Sequence, residues 1–408
     1  MYVPRYLESH VLRLSASFPA VLVTGPRQVG KTTLLRRLGD AQGRGYVSLD
    51  ELGPRTLAND DPDLFLQRYP APLLVDEVQN APPLLTALKP ALDRRGDMGS
   101  YWLTGSQHFP LMRRVSESLA GRVAVVELAG LSQSEEARAE PSVEPFRPGR
   151  SPVTGRASAG PSELLPLFQR LLRGSFPRFA QPNPPPVDAY LGSYLETYVE
   201  RDVRSMLEIS DLATFRRFLT VAAARVGQLL NLSDLARDVG IAPSTAKEWI
   251  ALLEATFQIY LLRPYFENIG KRQIKSPKLY FREPALAAYL TGWTSPEAAA
   301  AGAMAGPLFE SYVLAELLKS FRHRGRQAPI YFYRTKEKRE VDFLIAEDGQ
   351  LFPIEVKLSA APSNRDLKGI EALARSGANV GPGALVCMVR EGFPLTETVD
   401  AMPVSAIA

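Results

Sequence analysis

Apolar and polar positions follow two periods along this chain, and the places where the period changes divide it. Unbroken apolar runs occur at Ala20-Val21-Leu22-Val23, Leu73-Leu74-Val75 and Val123-Ala124-Val125-Val126. Short runs without polar alternation predict strands covered on both faces, as in a parallel sheet. A helical period takes over from Glu163 to Arg173 and again from Val187, where Tyr190, Tyr194 and Tyr198 recur every four residues. That spacing puts the aromatics on one face and predicts core, while Glu196, Glu200, Arg201, Asp202 and Arg204 read as a solvated, ion-paired face. Leu232 to Gly240 and Ala242 to Glu254 predict two short helices joined at Gly240, with Ser233 and Ser244 as caps. Strands are expected at Ile259 to Phe266 and at Leu279 to Phe281. From Leu308 the pattern reads as one helix followed by strands at Pro329 to Arg334, Glu340 to Ile345 and Leu351 to Leu358.

Between about Ser134 and Ser162 the pattern fails, and Pro, Gly and Ser replace core formers. This stretch reads as a flexible insert. The chain of 408 residues, 45% hydrophobic, is too long for one ordinary core. The expected division is 1–133, a 134–162 insert, a 163–215 helical connection, 216–282 and 283–408. Cys387 is the single cysteine, and the first residues lack a basic-then-apolar signal pattern, which favours the cytoplasm. The alanine-rich region from Ala285 to Gly306 is interrupted by Pro296 and Glu297, so no membrane span or membrane partner is expected. A net charge of +4 is unremarkable in itself. Its placement is more informative: Lys271, Arg272, Lys275 and Lys278 fall together with no acid among them.

The first apolar run leads into Gly25-Pro26-Arg27-Gln28-Val29-Gly30-Lys31-Thr32, and Thr33 onward resumes as a helix. Strand, glycine-bounded loop and helix match the P-loop pattern at every fixed position. Such glycines let backbone N–H groups face phosphates, and the helix adds the positive end of its dipole. Lys31 then reaches the β- and γ-phosphates and Thr32 holds Mg²⁺, making ATP and Mg²⁺ the expected cofactors. The second run ends in Asp76-Glu77, a Walker B arrangement in which Asp76 serves the Mg²⁺ shell and Glu77 positions the attacking water. Ser100 to Ser106 predicts a further strand whose end offers Thr104 or Ser106 to sense the γ-phosphate, or else is an ordinary capped turn. Arg122 is a candidate to neutralise transition-state charge from a neighbouring subunit, with Arg113 and Arg114 behind it; a solvated surface arginine is the alternative.

The order GPRQVGKTTLL, LLVDEVQ, YWLTGS and SLAGRV resembles the AAA-type ATPase domain of a bacterial and archaeal family, AAA_14/DUF4143, whose second half is called DUF4143. The resemblance implies a RecA/AAA-like doubly wound α/β sheet, sensor 1 at Thr104 to Ser106, and Arg122 in the place of a proposed arginine finger. A finger acting in trans implies a homo-oligomer.

Two helices and a strand pair after residue 231 read as a winged helix, whose second helix meets the major groove in DNA-binding versions. That helix offers Lys247 beside Glu248, which predicts little base reading. Lys271, Arg272, Lys275 and Lys278 suit sequence-independent phosphate contact instead, and a winged helix serving only protein contacts remains the alternative. In the last module Glu310, Asp342 and Glu355-Val356-Lys357 fall in the order helix, strand, strand. Asp342 and Glu355 could share a divalent metal, with Lys357 beside it; the alternative is an inactive fold that only grips DNA, its acids held in ion pairs by Lys336, Lys338 or Arg339. The order of acids is similar to the PD-(D/E)XK nuclease core, in which the helix adds the acid represented by Glu310, and the DUF4143 carboxyl end has been regarded as restriction-endonuclease-like. Val341 replaces the proline that often precedes the strand acid. Ala285 stands where relatives usually carry glycine, which puts a tight turn there in question. The expected function is an oligomeric ATPase that moves along or remodels DNA, with branched DNA a plausible substrate. A metal-dependent nuclease and a nucleotide-dependent protein switch are the alternatives.

Overall fold

Strand β1 (Ala20–Thr24) is buried at all five positions, which only a strand with both faces covered can be. Ala20 and Leu22 pack to one side with Phe65, Leu84 and Leu88, and Val21 and Val23 to the other with Leu34, Leu35 and Trp102. The computed structural model describes residues 2–106, 119–142, 144–149, 163–199, 211–265 and 276–407. Around β1, strands β2 (Gly45–Ser48), β3 (Leu73–Asp76), β4 (Tyr101–Gly105) and β5 (Val123–Glu127) form a parallel sheet in the order β2-β3-β4-β1-β5. Helices α1 (Glu8–Ser15) and α2 (Lys31–Asp40) cover one face, and α3 (Leu52–Asp60), α4 (Pro62–Arg68) and α5 (Pro82–Arg95) cover the other. The expected doubly wound sheet is present. In such sheets ligands bind outside the carboxyl ends of the strands, where the strand order reverses.

The insert expected from residue 134 begins as packed structure. Helix α6 (Gln133–Glu136) opens with a capping box made by Ser132 and Glu135, and Phe146 is 4% exposed in the core of the carboxyl half. Arg147 lies over the Phe352 ring at 4.4 Å. The few apolar and charged residues of this stretch are used to attach it, which its composition conceals. Residues 150–162 lie outside the described residues.

The connecting region holds α7 (Leu164–Arg173), a 3₁₀ turn at Pro177–Ala180, and α8 (Val187–Tyr194), followed by a π turn at Leu195–Val199. Tyr190 and Tyr194 of the expected stripe pack with Phe176 and Phe179 in an aromatic cluster, with ring centroids 4.8 to 6.4 Å apart; the Tyr198 side chain lies outside the described residues. Helices α9 (Leu212–Ala223), α10 (Leu232–Val239) and α11 (Pro243–Ala255) come next, then antiparallel strands β6 (Ile259–Leu262) and β7 (Lys278–Phe281). Gly240 ends α10 in the left-handed region at φ 79°. The caps differ from expectation. Asn231, not Ser233, caps α10 by accepting the N–H groups of Ser233 and Asp234, and α11 starts on Pro243 without a side-chain cap. Ala285 lies in the first turn of α12 (Pro284–Leu290), so a helix stands where a tight turn was in question.

After α13 (Pro296–Ala301), the long α14 (Ala305–Arg322) is apolar on most of its circumference because it lies between layers. One side meets the middle region and another a six-stranded sheet in the order β12-β13-β11-β10-β9-β8. Strands β8 (Ile330–Arg334), β9 (Glu340–Glu347) and β10 (Gln350–Val356) form an antiparallel meander. Helix α15 (Lys368–Ala374) crosses to β11 (Gly383–Val386), parallel to β10, with β12 (Phe393–Pro394) and β13 (Val399–Met402) beyond. Residues after β6 pair with β8: Tyr265 N–H donates to Phe332 O at 2.7 Å. One apolar core therefore runs from Leu167 through Leu253 and Phe309 to Phe343, across the expected boundary at residue 282. Among the described residues no helix is long and apolar enough to cross a membrane.

The parallel sheet and the carboxyl half meet at a buried ion cluster. Glu135 is 1% exposed and binds Arg5 Nε at 3.1 Å, while His323 Nδ1 of α14's cap lies 3.1 Å from its other oxygen. Burial would raise the Glu135 carboxyl, but Arg5, His323 and the Ser132 N–H hold it well below the usual carboxylate range. Burial also lowers the His323 imidazole, against the pull of Glu135. Both groups therefore take up protons more readily when unfolded, so stability falls with acid. We expect the urea midpoint to drop first as pH falls below about 6.5, as His323 charges in the unfolded chain, and further below about 4.5 from Glu135. His323→Asn flattens the upper part of that profile, and Glu135→Ala lowers stability by about 3–5 kcal/mol at neutral pH.

Candidate functional site

Immediately after β1 the chain must turn against β5. Gly25 has φ 137°, and a Cβ there would lie 2.1 Å from the carbonyl oxygen of Leu128, so only glycine fits. Gly30, at φ 94°, closes the loop as the N-cap of α2, and Gln28 also adopts a left-handed conformation at φ 61°. The Lys31 ammonium donates to the carbonyls of Gly25 at 3.0 Å and Pro26 at 2.7 Å, spanning the loop it follows. Arg27, Gln28, Val29, Gly30, Lys31, Thr32 and Thr33 line one cavity of about 650 Å³, and Pro26 faces a smaller space behind it. That volume is in the range of small-ligand sites.

The order β3-β4-β1 sets the strand carrying Asp76 one strand away from the loop, with Thr104 on the strand between. Thr104 is fully buried; its hydroxyl donates to Asp76 Oδ1 at 2.5 Å and accepts the Glu77 N–H at 2.9 Å. Thr32 donates to the same Asp76 oxygen at 2.6 Å, and Tyr46 to the other at 3.3 Å. Three hydroxyls thus orient one carboxylate. Glu77, at φ 56°, opens into the cavity with Gln79 and Ser106 on its carboxylate, Ser106 Oγ at 3.4 Å. Hydroxyl and carboxylate oxygens are the hard donors that Mg²⁺ takes, so Thr32 and Asp76 fit a nucleotide-bound Mg²⁺.

Outside the ATPase sheet, Pro177, Arg178 and Gln181 of the connecting region and Tyr2 and Arg5 of the first segment form the rest of the wall. Arg5 also donates to Val29 O at 2.9 Å and to the carbonyls of Ala129 and Gly130, so it braces the loop from behind. Tyr190 donates its hydroxyl to the Gln28 side chain. None of these belongs to a motif, and single residues from distant segments leave no spacing signal. Arg122 lies at the amino end of β5, where its carbonyl accepts the Ala20 N–H. A five-residue strand, about 16 Å, separates that edge from the P-loop. Its guanidinium is paired with Asp93 at 2.5 and 3.0 Å on the exposed surface. Arg113 and Arg114 lie outside the described residues.

The carboxyl half brings Glu310, Asp342 and Glu355 near one another, but not as the metal set expected with Lys357. Glu310 binds Lys278 at 3.3 Å and the Tyr280 hydroxyl. Asp342 accepts the Val356 N–H at 2.9 Å. Burial and the Asp342 charge push Glu310 up to about 7 and Glu355 well above the usual carboxylate range. Lys357, half-buried just after β10, adds a counter-charge to Glu355. Among the described residues no three acidic, imidazole or thiol groups converge so as to hold a metal ion. Lys278 is also a correction: it is 3% exposed and ion-paired, so it makes no phosphate contact at the surface. All four residues of β7 are buried, Lys278 among them. Lys247 is exposed on α11, and Lys271, Arg272 and Lys275 lie outside the described residues.

Residues 17–137 match the family model described as an AAA domain, residues 165–297 the domain of unknown function DUF8612, and residues 305–407 the domain of unknown function DUF4143. Two uncharacterised proteins, of Mycobacterium tuberculosis and Mycobacterium bovis, are each 31% identical over 392 residues, which is 95% of this chain and 81% of theirs. Among solved structures, the Walker-type ATPase of Pyrococcus abyssi is 15% identical with a TM-score of 0.37, over 71% of this chain and 96% of its own. A RuvB variant of Thermotoga maritima is 19% identical with a TM-score of 0.30, over 63% and 86%. Likeness at that level carries no argument here. With its assembled P-loop, its AAA domain and its DUF4143 domain, the chain belongs to the same AAA-type ATPase family as the two mycobacterial proteins.

Proposed function

We propose that this protein hydrolyses ATP and uses the cycle to move along or remodel DNA held by its carboxyl half. The observation that carries the reading is the shared cavity. Lys31, Thr32 and Glu77 line it together with Pro177, Arg178 and Gln181, which belong to the next module. A nucleotide bound there touches both parts, so its hydrolysis changes the contacts that hold them together. In the reaction, Lys31 turns from the loop carbonyls to the β- and γ-phosphates, and Glu77 orients the attacking water. Thr104 fixes the Asp76 carboxylate. Mg²⁺, when bound with ATP, neutralises charge on the phosphate oxygens.

Two features support DNA as the cargo. Helices α9 to α11 followed by the β6–β7 pair have the order of a winged helix, with Lys247 exposed on the helix that would face DNA. Helix α14, the β8–β9–β10 meander, α15 and parallel β11 follow the order of restriction-endonuclease-like folds. Contact through backbone and shape suits branched DNA. Arg122, at the sheet edge remote from its own cavity, would serve a neighbouring copy in a homo-oligomer. The inward turn of Lys278 favours a second reading, in which the carboxyl half binds proteins in a nucleotide-dependent way.

ATP turnover measured without DNA, with duplex and with four-way DNA separates these. We expect stimulation by DNA and its loss in Glu77→Gln; turnover indifferent to either DNA, with no DNA binding, removes the motor and leaves the switch. Thr104→Val, which removes the hydroxyl between Asp76 and Glu77, is expected to lower turnover about 10–100-fold, while a fluorescent ATP analogue still binds.

A further inference from the structure

The acidic centre of the carboxyl half contains a cation supplied by the chain itself. The Lys278 ammonium, on β7, lies 2.5 Å from Glu340 Oε1 of β9 and 3.3 Å from Glu310 Oε1 of α14. Its neighbour on the same face, Tyr280, gives its hydroxyl to Glu310. Asp342, two residues along β9 from Glu340, adds its charge, so that burial, which would lower the lysine, is overcome and it is held above its ordinary range. Arg334 of β8 takes the other Glu340 oxygen at 3.1 Å. On β10, Glu355 hydrogen-bonds Asp342 and answers to Lys357.

Carboxylates from a helix and a strand that converge in a buried space repel unless a cation lies between them. In a nuclease-like fold that cation is a divalent metal. Here the donors do not fit one, because Glu310 and Glu340 are already engaged by an ammonium and Asp342 by a backbone N–H and Glu355. We propose that Lys278 is the resident cation of this centre, standing where a divalent ion would otherwise bind, so that the module as folded takes no metal and the β6–β7 pair is latched onto α14 and β9. An ammonium carries one charge and three donors, enough to bridge Glu310 and Glu340, but it neither polarises a phosphate strongly nor lowers the pKa of a water. The carboxyl half then grips its partner without metal-dependent cutting.

The test uses the full chain without nucleotide or DNA, so its outcome is independent of the motor reading. Mn²⁺ is titrated by calorimetry, and melting is followed with and without Mn²⁺. Wild type is expected to show no Mn²⁺ binding that Asp342→Ala removes. Lys278→Met is expected to gain about one Mn²⁺ site with a rise in melting temperature, both lost in the double variant with Asp342→Ala. Wild-type Mn²⁺ binding abolished by Asp342→Ala overturns the proposal, and so does a folded Lys278→Met protein that takes up no Mn²⁺. Should Lys278→Met fail to fold alone, refolding with millimolar Mn²⁺ decides: recovery of the melting transition supports the assignment, and no recovery overturns it.

Discussion

The architecture depends on one buried carboxylate. Glu135 is buried, so its charge must be answered within the protein, and the partners that answer it come from distant segments of the chain: Arg5 near its start and His323 at the end of α14. Arg5 spends its remaining donors on the carbonyls of Val29, Ala129 and Gly130. The backbone of the phosphate loop and the central helix of the carboxyl half therefore connect through a single ion. A like arrangement lies on the other side of the loop, where Arg282 and Arg322 both bind Glu127, the last residue of β5. Removing the shared carboxylate from either cluster leaves cations without their counter-charge, a far larger cost than losing a surface pair.

What could be read from the sequence was whatever repeats locally. Continuous apolar runs marked β1, β3 and β5; β1 and β3 are covered on both faces, while β5 at the sheet edge buries only Ala124 and Val126. The P-loop and Asp76-Glu77 were legible because phosphate and metal chemistry fix residue type and spacing together. The carboxyl half was legible in its order of helix and strands, but its chemistry was not. Glu310, Asp342 and Glu355 carry the right letters, and nothing in their spacing tells that Glu310 is paired with Lys278, thirty-two residues upstream.

Lys278 also shows why charge runs mislead. In the chain it closes a cluster of four cations, a reading that treats them as one surface. Lys278 does not lie on a surface: it opens β7, pairs across from Leu262 and is buried. The insert from residue 134 misled in the opposite sense. Its composition predicts looseness, yet in its described part Glu135 and Phe146 are buried against two layers. A few buried groups outweigh a polar majority.

The hydroxyl of Tyr190 on the Gln28 amide, with Pro177 a few ångströms from Gly30, has a consequence for modularity. Pro177, Arg178 and Gln181 of the cavity wall arrive from beyond residue 170. A graft of the first 133 residues onto another carboxyl half would carry the motifs intact and leave their supports behind, so inheritance of the two parts is coupled, and exchange between family members must preserve the seam as well as the letters.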